Sequence, residues 1–179
     1  MKHIPNILSI IRILLIPFFV WQMLSGHTYI AASILLVSGL TDTLDGTLAR
    51  KFNWITPLGK VLDPAADKLT QVTVCIVLAI KLHTYWPFFV ILLSKDFVML
   101  IIGGYLLKKG VKLEGAKWFG KISTVLFYMT MILIIFIPSM PRWVTIILLT
   151  LTTACAVFSV LMYFPEFLKY RAEIKNSNS

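Results

Sequence analysis

The chain has 179 residues, of which 58% are hydrophobic and only 14% are charged. Soluble domains carry about a quarter charged residues, so this composition excludes an ordinary soluble domain and indicates an integral membrane protein. In such a protein a formal net charge of +9 is typical of cytoplasmic loops that face anionic lipid, and we expect membrane lipids rather than nucleic acid as partners.

Six apolar segments follow one another along the chain, each close to the roughly 20 residues that a membrane-spanning helix needs. Hydropathy predicts spans over residues 5–24, 28–47, 58–80, 85–107, 118–138 and 143–165. The first segment is kept as a span rather than a signal peptide, because Arg12 interrupts it and no small-residue cleavage site follows. The breaks are short and no repeat is visible. We therefore predict one all-α domain over residues 1–179, a six-helix transmembrane bundle.

Lysine and arginine are unevenly distributed between the breaks. With the N-terminus inside, twelve of them fall in inside segments and two, Lys81 and Arg142, fall in outside segments. Positive residues concentrate on the cytoplasmic side of membrane proteins. This asymmetry predicts a multi-pass protein of the cell membrane with both termini in the cytoplasm.

Four of the eight acidic residues fall in one pattern at the cytoplasmic ends of the second and third predicted helices. The pattern reads Asp42-x2-Asp45-Gly46-x2-Ala49-Arg50-x8-Gly59-x3-Asp63-x3-Asp67. At about 100° per residue, the two aspartates of each helix share a face with the small residues of that helix. Glycine and alanine there leave room for a bulky ligand close to the helix backbone.

Carboxylates this close together in a low-dielectric setting stay ionised only when cations compensate them. All-oxygen ligands suit Mg²⁺ or Mn²⁺, and two such ions balance four negative charges. Two-metal carboxylate sites serve phosphoryl transfer, which is the chemistry we predict. A transporter or channel is the alternative from another class, but transport sites tend to lie near the bilayer midplane between repeated halves. A purely structural membrane protein would leave the pattern of acids and small residues unexplained.

The pattern resembles the signature of the CDP-alcohol phosphotransferase family, D-x2-D-G-x2-A-R-x8-G-x3-D-x3-D, with every fixed position present. The segment "IPNILSIIRILLIPFF" is also similar to the start of the bacterial phosphatidylglycerophosphate synthases of that family. The resemblance implies that an acceptor hydroxyl attacks the β-phosphorus of CDP-diacylglycerol and that CMP leaves. It also implies homodimers as a frequent form, which the sequence itself does not decide.

The resemblance assigns roles residue by residue. It implies that Asp42, Asp45, Asp63 and Asp67 bind two Mg²⁺ or Mn²⁺ ions, and that Asp67 is also the general base. The residues implied to contact the CDP-lipid are Asn6, Ser9, Gly46, Ala49, Arg50, Thr56 and Gly59. Arg50 suits a pyrophosphate because its guanidinium forms bidentate, charge-assisted hydrogen bonds.

The acceptor is less well defined. Candidates for holding an anionic acceptor are Lys95, Lys117, Lys121 and Arg12. The segment "WFGKISTVLFY" resembles the G-K-x-K-T-x-x-Q stretch of phosphatidylglycerophosphate synthases, but Ser123 and Phe127 replace the second lysine and the glutamine. Lys95 and Asp96 stand where those synthases usually carry Arg-Glu, and we expect these two side chains not to face each other.

Three acceptors therefore remain open. The first expectation is sn-glycerol 3-phosphate. The related cardiolipin synthases often lack the second lysine, which suits phosphatidylglycerol because a phosphodiester carries one charge where a phosphate monoester carries up to two. Another alcohol, such as an inositol phosphate or serine, is the third.

Overall fold

The structure is a computed structural model that describes residues 4–51, 59–108 and 118–177. Side chains are described over residues 7–42, 62–102 and 118–163 and for Gly59. Within these ranges all regular structure is helical, as predicted. The elements are α1 (Ile4–Leu24), α2 (Thr28–Lys51), α3 (Gly59–Lys81), a 3₁₀ turn (His83–Tyr85), α4 (Trp86–Lys108), α5 (Trp118–Phe136) and α6 (Arg142–Ser177). Each α-helix covers one of the six predicted apolar segments to within two residues, and α2 and α6 continue beyond theirs, to Lys51 and Ser177.

In the described part of the chain, four stretches are long and apolar enough to cross a membrane. They are Ile7–Leu24, His83–Ile102, Trp118–Phe136 and Arg142–Tyr163. Within the described side chains of α2, the apolar stretch Thr28–Asp42 is shorter than these four. These helices establish a multi-pass membrane protein, whereas the predicted count of six spans stays a prediction.

The chain divides into two compact units. The first consists of Met1–Trp86 with Met131–Met140, and the second of Pro87–Thr130 with Pro141–Ser179. The first therefore contains α1, α2, α3 and the end of α5, and the second contains α4, most of α5 and α6. The prediction of a single domain stays a prediction.

In the first unit, α1 packs against both α2 and α3. The turn after α1 depends on Gly26, whose φ of 86° lies in the left-handed region that favours glycine. The N–H of His27 donates to the carbonyl of Gln22 at 3.0 Å, which is the helix-ending bond of a Schellman motif. Ala31 of α2 and Ala66 of α3 are fully buried, and small side chains let helix backbones approach closely in membranes. This packing places α1 beside both acid-bearing helices.

In the second unit, α5 and α6 are joined by a buried hydrogen bond between two threonines. The Oγ1 atoms of Thr130 and Thr152 lie 2.7 Å apart, and both side chains are buried. Thr152 donates its hydroxyl proton to the carbonyl of Leu148 at 2.8 Å. Since a hydroxyl carries one proton, Thr130 is the donor between the helices.

Replacing Thr130 or Thr152 with valine should lower the stability of the second unit. Interhelical hydrogen bonds of this kind contribute about 0.6 kcal/mol on average in membrane proteins. Thermal unfolding in detergent measures the loss. Both substitutions remove the same bond, so the double variant should cost less than the sum of the single variants. Strictly additive losses would show that the bond contributes nothing.

Candidate active site

Helix α1 contributes two buried polar side chains, Ser9 and Arg12, which are 0% and 1% exposed. Residues three apart lie on one face of a helix. The Arg12 guanidinium forms an ion pair with the carboxylate of Asp42 on α2, and the Ser9 hydroxyl donates to the carboxylate of Asp63 on α3. A buried cation in a membrane helix requires a partner of opposite charge. The face of α1 therefore contacts one aspartate on each of the two acid-bearing helices.

Asp67 is hydrogen-bonded to Gln71, a residue that the sequence pattern did not single out. The side-chain amide of Gln71 donates from Nε2 to Oδ2 of Asp67 at 3.1 Å, and Lys68 Nζ donates to Oε1 of Gln71 at 3.0 Å. Gln71 is only 2% exposed. The available signal was spacing, because a residue four positions after an aspartate lies next to it on the same helix face.

Three of the four predicted metal ligands thus lie in the first unit with described side chains: Asp42, Asp63 and Asp67. Their carboxylate oxygens have the donor chemistry that Mg²⁺ and Mn²⁺ prefer. Among the described side chains, no three acidic, histidine or cysteine residues form a group that could hold a metal. The side chain of Asp45, the fourth predicted ligand, lies outside the described residues. The donor set fits these ions chemically, and a two-metal centre stays a prediction.

Most of the other residues predicted to contact the CDP-lipid have side chains that lie outside the described residues. Gly59 is the buried first residue of α3. Asn6 lies in α1, and Gly46, Ala49 and Arg50 lie in α2, but these four lie outside the residues whose side chains are described. Thr56 lies outside the described residues altogether. Their roles stay predictions.

Of the acceptor candidates, Arg12 pairs with Asp42 as described above, and Lys95 and Lys121 belong to the second unit. The expectation that Lys95 and Asp96 do not face each other is wrong, because Lys95 Nζ lies 3.2 Å from Oδ1 of the buried Asp96. The four-carbon stem of lysine lets its ammonium group reach a neighbour whose Cβ points elsewhere. Lys121 is exposed, and Lys117 lies outside the described residues.

The two positions that depart from the synthase pattern, Ser123 and Phe127, are both buried, at 3% and 5% exposure. They are four residues apart and so lie on one face of α5. This face presents a hydroxyl and a phenyl ring where the pattern has a lysine and a glutamine.

The sequence matches the family model described as CDP-alcohol phosphatidyltransferase over residues 2–162. The chain belongs to this family. It is therefore an enzyme, a phosphatidyltransferase of phospholipid biosynthesis, and the resemblance carried by the aspartate signature is confirmed.

Individual relatives of this phosphatidyltransferase carry two kinds of name. A Mycobacterium bovis protein, provisionally named a cardiolipin synthase, is 33% identical over 172 residues, which cover 96% of this chain and 82% of the relative. A CDP-diacylglycerol–glycerol-3-phosphate 3-phosphatidyltransferase from Haemophilus influenzae is 34% identical over 128 residues, covering 68% and 69% of the two chains. One of the same name from Shigella flexneri serotype 5b is 27% identical over 168 residues, covering 90% and 92%.

Proposed function

We propose that this enzyme transfers the phosphatidyl group of CDP-diacylglycerol to a hydroxyl of sn-glycerol 3-phosphate and releases CMP. The observation that carries the proposal is the arrangement of Asp42, Asp63 and Asp67 on two helices packed against α1, within a full family signature. Relatives named for this reaction, which align with 68% and 90% of the chain, support the choice of acceptor.

In the proposed mechanism Asp67 takes the proton of the acceptor hydroxyl as that oxygen forms its bond to the β-phosphorus. The bond between this phosphorus and the bridging oxygen breaks, and the oxygen leaves with CMP. Asp42, Asp45, Asp63 and Asp67 would hold two divalent ions, which when bound neutralise charge on the pyrophosphate and on CMP. Arg50, with its bidentate guanidinium, would bind the phosphates of the donor.

We also propose that the active site faces the cytoplasm. With six spans and both termini in the cytoplasm, the aspartates would lie at the cytoplasmic end of the helices, where a lipid donor arrives from the bilayer and a polar acceptor from solution. The distribution of lysine and arginine supports this orientation in the cell membrane. We further propose that the enzyme works as a homodimer, as family members often do.

Cardiolipin synthesis from phosphatidylglycerol is the second candidate function. Two observations favour it: the cardiolipin-synthase name of the relative that covers 96% of this chain, and the buried Ser123 and Phe127 where the synthase pattern has a lysine and a glutamine. A site with one lysine fewer suits a phosphodiester better than a doubly charged phosphate monoester. Another alcohol acceptor, such as an inositol phosphate or serine, would give a third product.

A panel assay with purified protein separates these acceptors. Protein in detergent or vesicles receives CDP-diacylglycerol and Mg²⁺ or Mn²⁺, and then sn-glycerol 3-phosphate, phosphatidylglycerol, inositol phosphate or serine in turn. We expect CMP release that depends on sn-glycerol 3-phosphate, and a phosphatidylglycerophosphate product identified by mass. Cardiolipin as the product would replace the first candidate with the second, and no CMP with any acceptor would overturn the proposed reaction.

A further inference from the structure

We propose that Gln71 is a positioning residue for Asp67: its hydrogen bond to one oxygen fixes the orientation of the carboxylate that takes the acceptor proton. This inference rests on the proposed role of Asp67 as general base. Its basis is the hydrogen bond from the amide of Gln71 to Oδ2 of Asp67 at 3.1 Å. Gln71 lies outside the family signature, and its side chain reaches the carboxylate from one helical turn further along α3.

The orientation of the Gln71 amide follows from the chemistry of its two neighbours. A lysine ammonium only donates hydrogen bonds, so the group that faces Lys68 must be the amide oxygen, which accepts at 3.0 Å. An ionised carboxylate only accepts, so the group that faces Asp67 must be the amide nitrogen. Both ends therefore require the same orientation, and a flipped amide would lose both bonds.

The three residues form a chain of hydrogen bonds directed from Lys68 through Gln71 to Asp67. Hydrogen bonds in such chains polarise one another, and they are stronger where water is excluded. Gln71 meets that condition, being 2% exposed. A carboxylate turns about its terminal torsion with little resistance, and the bond to Oδ2 restricts that rotation.

A buried glutamine also needs hydrogen-bond partners simply to be stable, so the test must separate positioning from folding. Gln71→Glu does this. The variant has nearly the same shape and keeps an oxygen for Lys68, but it replaces the donor to Asp67 with a like charge. If Gln71 only supports the fold, Gln71→Met and Gln71→Glu should lower the thermal midpoint but leave the kcat of the folded protein near that of the wild type. If Gln71 positions Asp67, both should lower kcat, Gln71→Glu at least as much as Gln71→Met.

The experiment measures kcat, KM for CDP-diacylglycerol and the thermal midpoint for Gln71→Met, Gln71→Glu and a control, Thr70→Val. Thr70 is also buried on α3, but its hydroxyl donates to the carbonyl of Ala66 within the same helix at 2.9 Å. Loss of a residue that orients a catalytic ligand typically costs about 10–100-fold in activity. We expect a fall of that size in kcat for both Gln71 variants, an unchanged KM for the donor, and wild-type kcat for Thr70→Val.

Three outcomes contradict the inference: wild-type kcat in Gln71→Glu, an equal loss in Thr70→Val, or a loss that appears only in KM. Parallel measurement of Asp67→Asn shows which proposal has failed. If Asp67→Asn is inactive while both Gln71 variants keep their kcat, only the role of Gln71 is wrong. If Asp67→Asn keeps its turnover, the proposed general base itself is wrong.

Discussion

Asp67→Asn should lose nearly all turnover while CDP-diacylglycerol still binds. Asparagine keeps the size of the side chain but cannot take a proton, and a positioned general base contributes about 10²–10⁴-fold to rate. The remaining signature aspartates, Asp42, Asp45 and Asp63, are unchanged in this variant, so donor binding should largely persist. Rates of CMP release and equilibrium binding of the CDP-lipid measure the two effects separately.

Glu173→Gln provides a matched control for this loss. Glu173 lies in α6, in the second unit and outside the signature, and the substitution removes one carboxylate charge in the same way. We expect wild-type turnover in this variant. Turnover near that of the wild type in Asp67→Asn would contradict the assignment of Asp67 as base. Equal losses of donor binding and turnover would instead indicate that Asp67 acts mainly in holding the donor.

The helices could be predicted from the sequence because each apolar run is long and is bounded by polar or turn-forming residues. The number of membrane spans was harder to predict. In α2 the described side chains end at Asp42, so the apolar stretch Thr28–Asp42 does not decide whether this helix crosses a membrane. Aspartates in α2 and α3 also lower the mean hydropathy by which a span is identified.

For the aspartates, helical periodicity predicts that the two acids of each helix share a face, and their joint role in a site stays a prediction. Their partners could not be predicted, because contacts between helices depend on packing rather than on spacing. Arg12 was expected to contact an acceptor, whereas in the structure it forms an ion pair with Asp42. Gln71 follows Asp67 by four residues, but spacing alone does not show whether its amide reaches the carboxylate. The prediction for Lys95 and Asp96 was wrong because the Cα–Cβ bonds of neighbouring helix residues point in different directions, but this does not limit the reach of a long lysine side chain.

Removing either partner of the Arg12–Asp42 ion pair should have unequal effects on stability. The side chain of Arg12 is 0% exposed, whereas that of Asp42 is 35% exposed. Asp42→Asn removes a carboxylate charge from beside a buried, permanently charged guanidinium, whereas Arg12→Met leaves a carboxylate that water can partly hydrate. Breaking a buried pair costs about 3–5 kcal/mol, and the partial exposure of Asp42 reduces our expectation for Asp42→Asn to about 2–4 kcal/mol.

Thermal or denaturant unfolding in detergent tests this asymmetry without reference to activity. Arg12→Met should destabilise the protein less than Asp42→Asn. The double variant should recover most of the loss seen in Asp42→Asn, because the buried charge is then removed together with its partner. A greater loss in Arg12→Met than in Asp42→Asn would show that packing of the arginine stem, rather than charge compensation by Asp42, keeps α1 against α2. Additive losses in the double variant would show the same. A shared ion pair can be lost only once, so two substitutions that act through it must cost less together than the sum of their separate costs.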